Sequence, residues 1–148
     1  MSKSNAFETS LLEHVLQNAD IANIGDAAGL QNSAAAGSLY VRLFSADPGE
    51  AGAITNELTY TGYAAVAVAR SAAGWTVSGA NGSNAAAVTF GQCTGAGPQT
   101  AAYFGVCKTA AGDDMIYSGQ VTTPSGGLVI NSGVTPEFAI GALDINEE

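Results

Sequence analysis

The spacing of hydrophobic residues changes at Ser38. Before it, Phe7, Leu11, Leu12, Val15 and Leu16 recur every three or four residues, which places them on one helical face. Asn5 stands as an N-cap with Glu8 three residues later, so the pattern predicts a helix over residues 6–18, about three turns long. Residues 19–37 are small and polar without a sustained period. They read as an extended arm or linker, with one helical turn near 21–24 as an option.

From Ser38 the period is two. Leu39, Val41 and Leu43 fall on one face of a strand, and Tyr40, Arg42 and Phe44 on the other. Asp47-Pro-Gly-Glu50 ends it, because proline fixes φ and an aspartate caps the turning backbone. Further strands are predicted over 63–70, 74–78, 86–90, 101–108, 115–121, 127–131 and 137–145. Glycine-, proline- and aspartate-rich turns separate them at 78–83, 94–98, 111–114 and 123–127. Roughly eight short strands with no interleaved helices predict an all-β fold, an antiparallel β-sandwich (jelly-roll-like or a small barrel) carrying one N-terminal α-helix on an arm. Two regions follow: helix and arm over 1–37, and a β-sandwich domain over 38–148. No fixed-period repeat stands out.

Composition narrows the function classes. Thirteen acidic against four basic residues give the 148-residue chain a formal charge of −9. The bases, Lys3, Arg42, Arg70 and Lys108, are too scattered to track a phosphate backbone, so no nucleic-acid partner is expected. Charged residues make up only 11% of the chain, and the acids are dispersed apart from Asp113-Asp114 and Glu147-Glu148. This charge reads as a solubility feature. No stretch approaches the ~20 apolar residues that span a bilayer, and the N-terminus lacks the continuous apolar run of a signal peptide. Membrane association is not expected, and synthesis in the cytoplasm is. Cys93 and Cys107 lie in apolar segments and are expected as buried, reduced thiols, with a cross-strand disulfide as the alternative.

Catalytic chemistry has little to work with. His14 is the single histidine and sits on the predicted helix, where a flank or interface role outweighs that of a catalytic base. One histidine and two distant cysteines make no zinc pattern, and neither Asp113-Asp114 nor the 47–50 turn supplies a calcium loop. No catalytic residue, metal site or cofactor is therefore expected, and the chain does not read as an enzyme. Trp75, Tyr60 and Tyr63 could form a sugar-stacking platform, but aromatics on strands more often serve as core or interface anchors. The helical stripe must be buried somewhere. It packs either on its own sandwich or on a partner subunit, and in the second case Phe7, Leu11, Leu12, Val15 and Leu16, with Ile21 and Ile24 from the arm, form the partner interface.

A set of segments in fixed order adds a resemblance: Leu11-Leu-Glu-His-Val-Leu16, Leu39-Tyr-Val-Arg-Leu-Phe-Ser-Ala-Asp-Pro48, Gly62-Tyr-Ala64, Val88-Thr-Phe90, Tyr103-Phe-Gly-Val106, Tyr117-Ser-Gly119, Thr122-Thr-Pro124, Asn131-Ser-Gly133 and Phe138-Ala-Ile-Gly-Ala-Leu143. Together they resemble a family of small tailed-bacteriophage virion proteins, often labelled tail fibre proteins and including members similar to head decoration or cement proteins. The resemblance implies a structural role in the virion. The leading expectation is a capsid decoration protein on the outer head surface that bridges major capsid subunits and forms a homo-oligomer, a trimer being favoured. The alternative is a tail fibre or baseplate adhesin that binds a host surface glycan.

Overall fold

A computed structural model describes residues 2–25, 27–95 and 97–147. Asp26 of the expected arm, Ala96 of the expected 94–98 turn and Glu148 of the closing acidic pair lie outside them. Among the described residues the chain is mostly β: eleven strands in antiparallel sheets follow one N-terminal helix. The strands are β1 (Ser38–Phe44), β2 (Val66–Ala69), β3 (Trp75–Ser78), β4 (Asn81–Asn84), β5 (Val88–Thr89), β6 (Gln99–Ala101), β7 (Tyr103–Cys107), β8 (Met115–Gln120), β9 (Leu128–Ile130), β10 (Glu137–Phe138) and β11 (Asp144–Asn146). The helix, α1, spans Asn5–Gln17.

The predicted helix is present, with its start shifted. Ser4, not Asn5, is the N-cap: its backbone is extended and its hydroxyl accepts from the Phe7 N–H. Asn18 closes the helix in the left-handed conformation, at φ 58°. Glycine and asparagine are the residues that tolerate that geometry at a helix end.

The chain divides into two compact units that cut across the expected boundary at residue 37. The first combines 1–38, 68–87 and 139–148, and the second combines 39–67 and 88–138. In the first unit, β4 is the centre of a three-stranded sheet, between β3 and β11. Its register pairs Trp75 with Asn84 and Ile145 with Gly82. Helix α1 packs on β3 and β4, and Leu12 and Leu16 are completely buried there. A side chain cannot stand at Gly82 without displacing Leu16, since a Cβ would lie 2.6 Å from its Cδ1. Glycine at the sheet centre thus makes the groove that the helix fills.

Residues 19–37 are not an extended arm. Ile21 and Leu30 exchange two backbone hydrogen bonds of 2.9 Å, and the Asn18 amide holds the Ser33 backbone, so the segment returns on itself as a closed loop. Arg70 fixes both ends of this arrangement. Its guanidinium donates to the carbonyls of Val15 and His14 at 2.8 Å, and to that of Ala36 at 3.3 Å. A cation on the last carbonyls of a helix satisfies orphan acceptors and the negative end of the helix dipole.

In the second unit strands run in the order β2-β1-β7-β8, β2 contributing only residues 66–67, with two-stranded ribbons β10-β5 and β6-β9. Leu43 pairs with Phe104 and Val41 with Val106, so one face of this sheet is apolar, as the alternation in β1 predicts. Phe104 meets Phe138 of β10 edge-on at 5.7 Å, and the contacts continue through Phe90 and Tyr63 to Tyr60. On the second face of β1, Arg42 and Phe44 are buried too, and Tyr40 is half-buried.

Several strand limits differ from the expected ones. The expected turn at 78–83 overlaps β4, because Asn81-Gly-Ser-Asn84 has turn composition but pairs on both sides. The expected strand at 137–145 is two strands, β10 and β11, with a turn between them. β6 lies in what composition presents as a loop approach.

Candidate functional site

His14, Cys93 and Cys107 are engaged within the units, whereas Asp47, Glu50 and Asp113 are exposed. His14 Nδ1 lies 2.6 Å from the Ala19 carbonyl, beside the carbonyls that Arg70 caps. Cys93 and Cys107 are buried free thiols, and burial pushes the Cys107 thiol above its usual range. Among the described residues no group of three or more histidine, cysteine and acidic side chains could hold a metal.

The aromatic platform does not form. Trp75 is fully buried beneath α1 in the first unit, while Tyr60 and Tyr63 belong to the aromatic core of the second. Trp75 and Tyr60 are buried in the core, and Tyr63 is half-buried and stacked on Phe90.

The strongest polar constellation is one that alternation in β1 only half reveals. Arg42 is 1% exposed and makes a bidentate pair with Glu57, its Nε donating at 2.8 Å and its Nη2 to the second carboxylate oxygen. Its Nη1 donates to the Gly112 carbonyl at 2.8 Å and lies 3.9 Å from Asp114. The Tyr63 hydroxyl donates to Glu57 at 2.7 Å and accepts from the Leu43 N–H. Gly105 lies opposite Arg42, and a Cβ there would press on Met115 and the Phe44 ring. The Glu57 hydrogen bond raises the Arg42 pKa against the opposing effect of burial, and burial raises that of the Tyr63 phenol. The bidentate geometry adds directional hydrogen bonding to the ion pair. It ties residues 57–63 and the 112–114 loop to the sheet, which is a structural use.

The seven residues named for a partner interface are spread over different environments. Leu12, Leu16 and Ile21 are buried within the first unit, whereas Leu11, Val15 and Ile24 are half-buried. Phe7 is exposed at the start of α1. A stripe cannot be read as inward or outward from spacing alone, and Gly82, which receives Leu16, carries no local sign of a helix contact.

Two surface features were not signalled by the sequence. Ile140 is 71% exposed, the highest among the large hydrophobic residues described as exposed. It sits in a turn closed by the Ala142 N–H to the Ala139 carbonyl, with Gly141 at φ 73°. Buried Asn84 clamps that turn. Its Nδ2 donates to Ala139, its Oδ1 accepts from the Leu143 N–H, and its backbone carbonyl accepts from Gly141. The second feature is a pocket of about 220 Å³ in the second unit, with a buried apolar floor of Leu43, Ala101 and Val121 and a rim of Thr123, Pro124 and Glu137.

No curated protein matches the chain. A family model does, over residues 2–146, and its description is Podophage GP4 fiber I protein gp80. The match takes in α1, every sheet, the Arg42 cluster and the Asn84 turn together. The chain therefore belongs to the podophage fibre I (gp80) family and is a structural, fibre-type protein of the phage virion.

Proposed function

We propose that this protein is a non-enzymatic, homo-oligomeric subunit of an appendage on the virion exterior, joined to other virion proteins by apolar surface contacts. The family match over residues 2–146 carries this reading. It is supported by the engagement of His14, Cys93, Cys107, Tyr63 and Arg42 in internal packing and hydrogen bonding, which leaves them no catalytic task. A subunit repeated around a symmetric attachment point gains avidity, so modest contacts suffice at each site.

The second reading is a head decoration protein that bridges major capsid subunits on the outer shell. It is favoured by the lack of any fixed-period repeat, because fibre shafts are built from repeated units. A protein that binds only the assembled lattice would stabilise it by mass action. Bridging through a free 1–37 arm has no support, since those residues pack in their own unit.

Quantitative mass spectrometry of purified virions separates the two. A handful of copies per particle, in a multiple of the appendage symmetry, is expected. A ratio to the major capsid protein near one, or near a simple lattice fraction, overturns the appendage reading in favour of decoration.

A further inference from the structure

Strand β8 closes its sheet with an open edge: among the described residues no strand pairs with it on the side away from β7. The Val121 N–H donates to the Ala102 carbonyl at 2.8 Å, and this phase makes Phe104–Gly119 and Val106–Tyr117 the hydrogen-bonded pairs of the β7–β8 ladder. The backbone N–H and C=O groups of Ser118 and Gln120 therefore point away from β7, and both residues are exposed. Proteins commonly blunt such an edge with proline, lysine or a bulge. Met115–Gln120 has neither proline nor charge, and its one register shift falls at Ile116, which leaves Tyr117–Gln120 regular. A neutral, regular edge is a template for one more strand.

A recess beside this edge selects what that strand carries. It encloses about 120 Å³ between the 49–52 turn and Met115–Ser118, and Glu50 is the one charged side chain that lines it. Glu50 is exposed and forms no ion pair among the described residues. In a chain of net charge −9, a cation is the complementary group. A second copy is poorly equipped to bring one. Arg42 is committed to Glu57, Arg70 to the carbonyls of α1 and Ala36, and Lys3 to Glu147. Lys108 belongs to the turn that leads into β8, at the same end of the strand as Glu50. Antiparallel pairing of two β8 edges would bring the other end, with the uncharged segment after Gln120, to Glu50 instead.

We propose that β8 receives an extended basic segment of another virion protein as an added strand, paired with the backbone of Ser118 and Gln120 and seating a lysine or arginine beside Glu50. Main-chain hydrogen bonds supply the affinity, and the recess reads the side chain. The apolar stem of the basic residue lies along Met115 while its charged end reaches the carboxylate. The inference goes beyond the proposed function and stands whether the neighbour belongs to an appendage or to the head.

The test uses the full chain during natural assembly. Cells that express a variant are infected with wild-type phage, and quantitative mass spectrometry compares the variant-to-wild-type ratio in purified virions with that in the lysate. Ser118→Pro removes an outward donor that the ladder to β7 does not use. Glu50→Lys reverses the charge of the recess at an exposed position. Thermal unfolding of each purified variant checks that the fold is kept, and both variants are expected to enter virions about 10-fold less than the wild type. A benzophenone side chain placed at Ser118 is expected to cross-link, in intact virions, to a segment of a different virion protein that contains lysine or arginine. Full incorporation of folded Ser118→Pro overturns the added strand, and full incorporation of Glu50→Lys overturns the basic partner, a result that holds even where the proline variant unfolds. A cross-link to a second copy of this chain, to a segment without lysine or arginine, or to no protein overturns the proposed occupant.

Discussion

Arg42 shows how far a single residue can depart from its sequence context. Alternation puts it on the second face of β1 with Tyr40 and Phe44, and an arginine there reads as solvent-facing. It is buried because Glu57, fifteen residues on, and the 112–114 loop close over it, and no local pattern announces those partners. Tyr63 completes the cluster only as a neutral phenol, since its hydroxyl donates to Glu57. Its pKa in the fold lies above the ordinary value near 10, so the stability it contributes is complete below about pH 10 and is lost as pH rises beyond that. Tyr63→Phe should cost about 1–2 kcal/mol at pH 7, because the Leu43 N–H loses its acceptor. The variant should also lose stability less steeply than the wild type between pH 10 and 11. Chemical denaturation of both proteins across that range checks this, and equal slopes would exclude the role.

At the scale of elements, α1 and β1 were legible because each carries a clean period, 3.6 and 2 respectively. β4 was not: Asn81-Gly-Ser-Asn84 has no β-branched or aromatic residue, and it is a strand because β3 and β11 pair with it from either side. The same blindness hid the docking of the helix, for Gly82 looks like punctuation and serves as a groove. Leu16→Ala should therefore destabilise the protein by roughly 2–5 kcal/mol, the range for a large aliphatic side chain removed from a closed core. Gly82→Val should also destabilise, by about 1–3 kcal/mol, by forcing Leu16 out of place. Were the apolar stripe reserved for a partner, Leu16→Ala would leave the isolated protein's unfolding midpoint unchanged.

For the molecule as a whole, the sequence presented a helix and arm followed by one β-domain, whereas the contacts define two units whose chain segments alternate. The backbone passes between them four times, after residues 38, 67, 87 and 138. Such interleaving is invisible to any local reading, because it depends on which distant strands pair. It also makes independent unfolding hard, since neither unit is a continuous stretch. Each unit carries its own probe: Trp75 in the first, and Cys93 and Cys107 in the second. Tryptophan fluorescence and thiol labelling are expected to report the same denaturation midpoint, and two separated midpoints would show that the units melt independently.

The last strand, β11, bears on synthesis. It pairs with β4 some sixty residues earlier, in the sheet that supports α1. During translation, at about 5–20 residues per second, the helix emerges first yet waits several seconds for the strand that completes its bed. Ribosomes that stop before residue 139 would release chains whose first unit lacks β11 and the turn held by Asn84. Only a chain extended past residue 143 holds the Ile140 turn through all of its bonds to Asn84, so shorter chains would present a different surface there.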